Sequence, residues 1–454
     1  MSSILTQNFK KELMASTIRT INSTSENFYI GIGKSDPWPN NDSAEIALDN
    51  VKIQNEFRNS LQAIHRIIAS SLVVPRYEWK KNRYYQQYDD VKDIYDYGSE
   101  PFYVINNNNG VYICLRQAKG DHGTPLVSTI MPTNANNDPV ELADGYVWKF
   151  LYTISALDAS LFMSGGYMPV TRQDMIDSNS TGIELKQWEI QQTAKPGMIT
   201  SFDVVSGGGG YTNPKIQIND VSYTDLVDFW MDSLGSIMKV EYQPDSTGTT
   251  FNYLWGLRAA KIQINDSNGA NATVRAILSP TMGVGDDPVF DLKCGSMMFS
   301  VRIDGDAEDF LVEQDFRQVG VIRAMKDSIG GSQFTDLTGS ALYSMNLDSE
   351  TVPFTPDGII IGDISGARAF VDQADSSSIY YHQTEFTGWK PFIDGELVTE
   401  LANFGSGRIG SARIPPEVSP YTGEILYIDN RAPITRVPEQ TEDIKIVIRL
   451  DECQ

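Results

Sequence analysis

The sequence predicts a mainly β protein of the sandwich or barrel type, with two helices near its N-terminus. Short runs of β-branched and aromatic residues recur along most of the chain, and turns rich in glycine, proline and asparagine separate them. Helical spacing of apolar residues is clearest within residues 3–70. A chain of 454 residues also exceeds what one hydrophobic core usually serves, so we expect two or three domains.

The two predicted helices rest on apolar residues that recur every three or four positions. The first helix is predicted over residues 3–21, and a strand over 28–32 follows it and ends at the proline-bearing turn 36–39. The second helix is predicted over about residues 50–70, with Pro75 as its outer limit. The apolar residues assigned to its buried face are Ile53, Phe57, Leu61, Ile64 and Ile68.

Strands are predicted at 103–105, 110–115 and 146–152, and the asparagine-rich turn 106–110 joins the first two as a hairpin. Residues 196–280 differ in composition from the preceding part of the chain. A run of four glycines at 207–210 precedes the sequence KIQIND at 215–220, and the same six residues occur again at 261–266. This repeat indicates either a duplicated hairpin unit or one unit split by an insertion. The apolar stretch between the copies, from Leu226 to Met238, is predicted to hold a short helix.

The last third of the chain is also predicted to be β. Residues 328–414 contain short strands at 358–362, 366–371 and 379–381, which are typical of a small β-barrel or sandwich. Residues 425–450 contain two further strands. In the second of these, Ile444, Ile446 and Ile448 alternate with more polar neighbours, so one face is expected to pack on a core.

Composition excludes several classes of function. A formal net charge of −23 repels phosphate backbones and anionic lipid, so neither nucleic acid nor membrane is an expected partner. Cys114, Cys294 and Cys453 are too few and too scattered for a disulfide framework or a metal site. The first residues lack the pattern of a secretory signal peptide, and a reducing compartment during synthesis is expected.

Two short motifs imitate ligand sites. Gly33, Lys34 and Ser35 resemble the end of a phosphate-binding loop, but Phe28 stands where that loop needs its first glycine, which favours a strand end and a turn. The spacing of Asp304, Asp306 and Glu308 resembles a calcium loop. However, Asp309 replaces the required glycine and Asp315 the required glutamate, so a hairpin tip with solvated acids is preferred.

Residues 76–88 interleave basic and aromatic side chains, a pattern that can bind single-stranded nucleic acid or sugars. Four aspartates at 89, 90, 93 and 96 cancel the local positive field, which makes protein contact a better interpretation. A partly buried strand is preferred over both. The interleaved residues are Arg76, Tyr77, Trp79, Lys80, Lys81, Arg83, Tyr84, Tyr85 and Tyr88.

Nothing in the sequence predicts an enzyme. The three histidines are His65, His122 and His382. His65 lies on the second predicted helix and His122 in a predicted turn, and no serine or cysteine has a recognisable nucleophile motif. We therefore predict no catalytic residue, no cofactor-binding residue and no metal ligand, and no cofactor.

Five motifs in this order resemble the gene product eight family of baseplate wedge subunits in T-even-like contractile-tailed phages. They are GIGKSDPW (31–38), SLVVPRYEW (71–79), DGYVWKFLY (144–152), DFRQVGVI (315–322) and GEILYIDNRAPI (423–434), and EQTEDIKI (439–446) extends the last. The resemblance covers roughly residues 1–170, 295–325 and 415–454. It implies a β-sandwich core, a structural role, a homodimer in each wedge, contacts with other baseplate wedge proteins, and a place in the virion tail baseplate after assembly in the host cytoplasm.

Two segments depart from that family and are interpreted as small β-rich inserted domains. The expected division is a core in three parts, 1–195, 281–327 and 415–454, with inserted domains at 196–280 and 328–414. The alternative function is a tail-associated receptor- or carbohydrate-binding protein that uses these insertions, with Tyr380, Tyr381 and Trp389 as stacking residues. A polysaccharide hydrolase would need two carboxylates facing one groove.

Overall fold

The computed structural model describes residues 5–21, 27–40, 43–223, 225–244, 253–304, 315–434 and 441–450. Strands account for 42% of the structure and helices for 12%, which confirms the mainly β fold. The strand pairs in the sheets described below run antiparallel, as expected for strands joined by short turns.

The helices are short apart from the first. Their bounds are α1 Gln7–Ile21, α2 Val51–Asn59, α3 Ala156–Phe162, α4 Gly182–Gln192 and α5 Pro288–Asp291, with a 3-10 turn at Ile94–Tyr97. The first predicted helix is confirmed over 7–21, while residues 3 and 4 lie outside the described ranges. The apolar residues of α1 are divided between exposed and buried positions: Phe9 and Leu13 are 55% and 43% exposed, whereas Met14 and Ile21 are buried.

The second predicted helix is correct only as far as Asn59. It begins after Asn50, whose side chain accepts a hydrogen bond from the Ile53 N–H, and it ends at Ser60. Residues 61–66 and 69–75 are strands instead. The first of these strands is paired on both edges and buried on both faces, so its apolar residues do not alternate, and their spacing imitates a helix.

The strands occupy most of the remaining chain. In order they are β1 Phe28–Gly33, β2 Leu61–Arg66, β3 Ala69–Pro75, β4 Tyr103–Ile105, β5 Gly110–Arg116, β6 Val140–Glu141, β7 Val147–Thr153, β8 Tyr167–Val170, β9 Ile199–Gly209, β10 Lys215–Ile218, β11 Val221–Tyr223, β12 Val227–Met231, β13 Ile237–Tyr242, β14 Ile262–Asn265, β15 Ala270–Leu278, β16 Ser296–Asp304, β17 Phe316–Arg323, β18 Thr338–Ser340, β19 Tyr343–Val352, β20 Ile359–Gly362, β21 Arg368–Ala374, β22 Ser378–His382, β23 Leu397–Glu400, β24 Ser406–Ile414, β25 Glu424–Ile434 and β26 Thr441–Arg449.

The chain divides into two compact units. Unit 1 contains residues 1–14, 71–298 and 447–454, and unit 2 contains residues 15–70 and 299–446. The five-part division expected from the sequence stays a prediction. The individual strands predicted at 28–32, 103–105, 110–115, 146–152 and 425–450 are confirmed.

Unit 1 contains a four-stranded sheet in the order β4-β5-β7-β6, and the predicted hairpin at 106–110 joins its first two strands. Aromatic side chains fill the core on this sheet: Tyr85 packs edge-on against Trp148, at a ring distance of 5.5 Å, and Tyr146 stacks on the same indole at 5.9 Å. The aromatic residues of the predicted strands 110–115 and 146–152 therefore contribute to the hydrophobic core of this sheet.

The glycine-rich segment of unit 1 is built from antiparallel pairs. The two KIQI copies, β10 and β14, are direct neighbours, with Ile216 opposite Ile264, which favours one unit split by an insertion over a duplicated hairpin. The stretch between them forms the hairpin β12–β13, so the predicted short helix is wrong. Its apolar residues alternate into a core shared with β9 and β15, as strand residues do.

Unit 2 contains a five-stranded sheet in the order β18-β2-β1-β17-β25. Gly31 of β1 lies opposite Gly320 of β17, and the Phe57 ring of α2 packs over this pair. A Cβ added at Gly320 would lie 2.5 Å from Cζ of Phe57, and one at Gly31 would lie 2.8 Å from the Leu61 side chain. The paired glycines thus make the space in which the helix contacts the sheet.

Unit 2 also contains a closed barrel in the strand order β19-β22-β21-β20-β23-β24. Of the two alternatives that the sequence left open within 328–414, a small β-barrel or a sandwich, the structure has the barrel. Its core is mainly apolar, but the barrel strands and their connections also bury the charged or polar side chains of Asp372, His382, Glu396 and Glu400. The Glu396 carboxylate accepts hydrogen bonds from the backbone N–H groups of Ile364, Ser365 and Ile393 and from the Ser365 hydroxyl. These bonds explain why a charged group is tolerated there.

Candidate functional site

A buried polar centre lies in unit 2, where the barrel meets the ends of β1 and β2. Asp372 of β21 is 1% exposed. Its carboxylate accepts hydrogen bonds from the Ser35 hydroxyl, at 3.2 Å, and from the side-chain amide of Gln62, at 3.0 Å. The other carboxylate oxygen lies 2.6 Å from Nδ1 of His382 in β22. Three side chains, two of them from distant parts of the sequence, therefore converge on the Asp372 carboxylate.

The electrostatics of this centre favour a charged pair. Burial by itself would lower the pKa of His382, but the charge and hydrogen bond of Asp372 outweigh burial and raise that pKa above its ordinary value. The imidazolium form therefore becomes more stable when unit 2 folds. Its ring also stacks on Phe370, with the centroids 5.4 Å apart and an interplanar angle of 19°.

Serine, histidine and aspartate are the residue types of a hydrolase triad, but their connections here are different. In a triad the histidine takes the proton of the serine hydroxyl. Here the Ser35 hydroxyl donates to Asp372, and Nε2 of His382 has no hydrogen-bond partner among the described residues. All three residues are at most 3% exposed. This geometry suits a structural link between strands better than nucleophilic catalysis.

The phosphate-loop imitation at Gly33, Lys34 and Ser35 is the end of β1 followed by a turn, as expected. Lys34 has a φ of +62°, lies 2.9 Å from the Asp36 carboxylate, and holds its ammonium 4.6 Å from the centre of the Trp38 ring. Residues 34–40 form no helix. The amides that would cradle a phosphate at a helix N-terminus are therefore not provided here.

The calcium-loop imitation lies mostly outside the described residues. Asp304 ends β16, whereas Asp306, Glu308 and Asp309 belong to the undescribed range 305–314. Within the described ranges, no cluster of three or more histidine, cysteine, aspartate or glutamate side chains has the arrangement of a metal site. The expectation of solvated acids at a hairpin tip stays a prediction.

The basic and aromatic segment 76–88 is not the strand that the sequence predicts. It is irregular, with isolated bridges from Glu78 to Ile105 and from Arg83 to Ser128. The Tyr85 hydroxyl bonds to both backbone groups of Lys80 and closes a local loop that a straight strand cannot form. Tyr85 and Tyr88 are 2% and 5% exposed, so they fill the core of unit 1 and present no stacking surface for bases.

Two histidines have ordinary structural roles. His65 lies on strand β2, not on a helix, since the predicted helix ends before it. Burial lowers its pKa, and Nδ1 lies 2.9 Å from the Arg66 carbonyl oxygen. His122 lies in a turn, as predicted.

The stacking residues of the carbohydrate-binding alternative do not share one exposed face. Tyr381 is 2% exposed and belongs to the barrel core, whereas Trp389 is 50% exposed. Tyr380 is half-buried and points to the other side of β22 from Tyr381, as neighbours on a strand do. Of the three, Trp389 lines the feature described next.

An open groove of about 1200 Å³ lies in unit 2 and was not predicted from the sequence. The residues 43–50 and helix α2 form one wall, and residues 384–389 form the other. This space is called the groove. Its exposed apolar lining consists of Ile46, Leu48, Val51, Phe386 and Trp389. The apolar triplet Ile46-Ala47-Leu48 before a helix cap was the available signal in the sequence.

Comparison with known proteins gives a distant relationship. No family model matches the chain. The baseplate wedge protein gp8 of Enterobacteria phage T4 is 25% identical over 185 residues, which cover 33% of this chain and 55% of that protein. The match therefore spans about half the length of the relative. No helix in the part of the chain that the structure describes is long and apolar enough to cross a bilayer.

Proposed function

We propose that this protein is a structural component of a phage tail baseplate, a wedge subunit that joins neighbouring wedge proteins and forms a homodimer. The similarity to the baseplate wedge protein gp8 carries this proposal. The mainly β fold and the exposed apolar groove support a role in protein contacts. In the buried Ser35–Asp372–His382 cluster the serine hydroxyl donates to the aspartate and not to the histidine, unlike in a catalytic triad. This supports a protein without catalytic turnover.

The mechanism we propose is assembly through surface complementarity. Apolar surface on one chain is covered by its neighbours in the wedge, and the net charge of −23 keeps the free chain soluble until those neighbours are present. The partners are other baseplate wedge proteins, the location is the virion tail baseplate, and assembly takes place in the host cytoplasm. Neither nucleic acid nor membrane has a part in this mechanism.

The experiment that tests this proposal is quantitative mass spectrometry of purified particles. Intact virions, isolated tails and isolated heads are compared, with a head protein and a tail-tube protein as the two reference standards. We expect the chain at a fixed copy number in tails and its loss from heads. Its absence from particles, or its enrichment with heads, would refute the proposal.

The alternative, a receptor- or carbohydrate-binding tail protein, has one observation in its favour: Trp389 lies half exposed in the groove. A glycan array tests it with Trp389→Ala, and Trp255→Ala is the matched control, since Trp255 is 60% exposed. Glycan binding that Trp389→Ala removes and Trp255→Ala retains would support this alternative. The buried position of Tyr381 argues against the stacking set as first proposed.

A further inference from the structure

We infer that the groove of unit 2 is a docking site for an apolar, positively charged polypeptide segment of another protein. The inference rests on the proposed function only in naming the source of the partner, a neighbouring tail protein. The chemistry of the segment follows from the groove itself, through its size, its exposed apolar side chains and its charge.

The size of the groove indicates a polypeptide occupant. Small-molecule sites usually enclose roughly 300–1,000 Å³ and bury most of their ligand. This groove measures about 1200 Å³ and is partly open to solvent, so a single small molecule would leave much of it unfilled. A segment of polypeptide laid between the two walls can fill it.

The apolar lining indicates a protein and not a sugar. Ile46, Leu48 and Val51 are 87%, 62% and 73% exposed on one wall. Phe386 is 76% exposed on the other. Sugars stack on flat aromatic rings, which Phe386 and Trp389 offer, and bond to polar groups. The three aliphatic side chains offer a sugar neither a ring nor a polar group, whereas apolar side chains of a polypeptide can pack on all five. Contiguous apolar side chains of this kind mark surfaces that other proteins cover.

The charge of the lining indicates a basic occupant. Four carboxylates (Asp36, Glu45, Glu56 and Glu385) and two lysines line the groove, which gives a net charge of −2. Both lysines are already engaged by these carboxylates: Lys34 lies 2.9 Å from Asp36, and Lys52 lies 3.4 Å from Glu56 and 4.0 Å from Glu385. Basic side chains at the edge of an apolar segment would be attracted, and acidic ones repelled. A second copy would bring the same acidic lining, in a chain of net charge −23.

The walls of the groove are held in place, which favours docking of a segment onto a preformed surface. Asn430 donates a hydrogen bond to the Glu45 carbonyl, at 3.1 Å, which fixes the apolar stretch before α2. The indole N–H of Trp38 donates to the Arg431 carbonyl, at 2.7 Å. On the opposite wall, Phe386 stacks on Phe370 at a ring distance of 6.2 Å, and Phe370 stacks on the buried His382.

Two variants and two matched controls test the site. Ile46→Asp places a charge in the groove, and Ile329→Asp makes the same change at an equally exposed position elsewhere, since both residues are 87% exposed. Phe386→Ala is matched by Phe404→Ala, because these rings are 76% and 79% exposed. At such exposure the changes at Ile46, Ile329 and Phe404 remove little buried surface, whereas Phe386→Ala also removes the stacking on Phe370. Circular dichroism and thermal unfolding of each variant check that it is folded.

The probe is a random library of short peptides selected against the purified full-length chain. We expect the selected peptides to be rich in leucine, phenylalanine and tryptophan together with lysine and arginine. Ile46→Asp and Phe386→Ala should each weaken their binding by about tenfold or more, as central apolar contacts do, and the two controls by less than about twofold. Binding should also weaken as salt is raised.

Several results would overturn the inference. They are a failure to select any peptide, selection of acidic peptides, equal losses in the groove variants and their controls, glycan binding that Ile46→Asp abolishes, and self-association that Ile46→Asp abolishes. Because the assay uses the purified chain and random peptides, its failure leaves the particle composition of the proposed function untouched. Conversely, a chain absent from tails can still bind such peptides, so the two failures are distinguishable.

Discussion

At the scale of single residues, Asp372 joins parts of unit 2 that are far apart in sequence. Its carboxylate accepts hydrogen bonds from Ser35 and Gln62 and pairs with His382, all of them buried. Asp372→Asn keeps the size but removes the charge that holds the imidazolium, so we expect the free energy of unfolding to fall by about 3 kcal/mol at pH 6. Urea denaturation measures the loss. Asp174→Asn is the control, with a side chain 80% exposed and an expected change below about 0.5 kcal/mol.

The pair with Asp372 should also make the stability depend on pH. Because folding raises the pKa of His382, the stabilisation is fully present below the ordinary histidine value of about 6.5 and is lost as pH rises through the raised value. In Asp372→Asn burial should lower the pKa of His382 below its ordinary value, so the contribution of this histidine should reverse and the stability should increase as pH rises. Ring-proton NMR titration measures the pKa directly, and the chain has only three histidines to assign. A pKa of His382 at or below 6.5 in the unmodified protein would contradict the charged pair.

Glu396 is a second buried carboxylate of the barrel that is stabilised by hydrogen bonds. It is fully buried, which by itself would raise its pKa, but the hydrogen bonds from Ser365, Ile393 and Ile364 lower it. Its stabilisation is present above the unfolded pKa and is lost as pH falls through the lowered folded value. Glu396→Gln should therefore cost about 2 kcal/mol at neutral pH and less in acid. Thermal unfolding tests this, with Glu385→Gln as the control at a side chain 84% exposed.

At the scale of elements, the contact between helix α2 and its sheet depends on two facing glycines. Gly320→Ala would place a methyl group 2.5 Å from the Phe57 ring, an overpacking that we expect to cost about 2–3 kcal/mol. Phe57→Leu, added to Gly320→Ala, should recover part of the loss, so the two changes should be non-additive in a double-mutant cycle. Gly165→Ala is the control, because its added methyl meets nothing within 4 Å. Additive effects would show that the ring does not contact this site.

The elements that the sequence predicted best are those whose structure is determined by residues close to one another in the sequence. The barrel strands β20 and β21 are apolar runs set off by glycines, and the β4–β5 hairpin has its own asparagine turn, so their residues suffice to place them. Strand β2 was mistaken for a helix because it is buried on both faces, so its apolar residues do not alternate. Its pairing with β1 and β18, which makes it a central strand, cannot be seen in its own sequence. The hairpin β12–β13 was mistaken for a helix for a different reason: the strands β9 and β15, against which its apolar residues pack, lie elsewhere in the chain.

At the scale of the whole molecule, the candidate sites were out of reach of sequence patterns because they join distant segments. Ser35, Gln62, Asp372 and His382 meet only after the sheet and the barrel of unit 2 have formed. The groove likewise needs residues 43–50 and 384–389 on opposite walls. Composition predicts only which partners are disfavoured, because a net charge of −23 repels nucleic acid and acidic surfaces whatever the fold, and this stays a prediction.

That net charge also predicts how the proposed homodimer responds to salt. Two copies of charge −23 repel each other, and the repulsion is screened over about 10 Å at 0.1 M salt and about 3 Å at 1 M. The dimer dissociation constant should therefore fall as sodium chloride is raised, and sedimentation equilibrium measures it. A chain that stays monomeric at every salt concentration would contradict the homodimer. Binding of basic peptides in the groove should respond to salt with the opposite sign, so one titration series separates self-association from docking of a different partner.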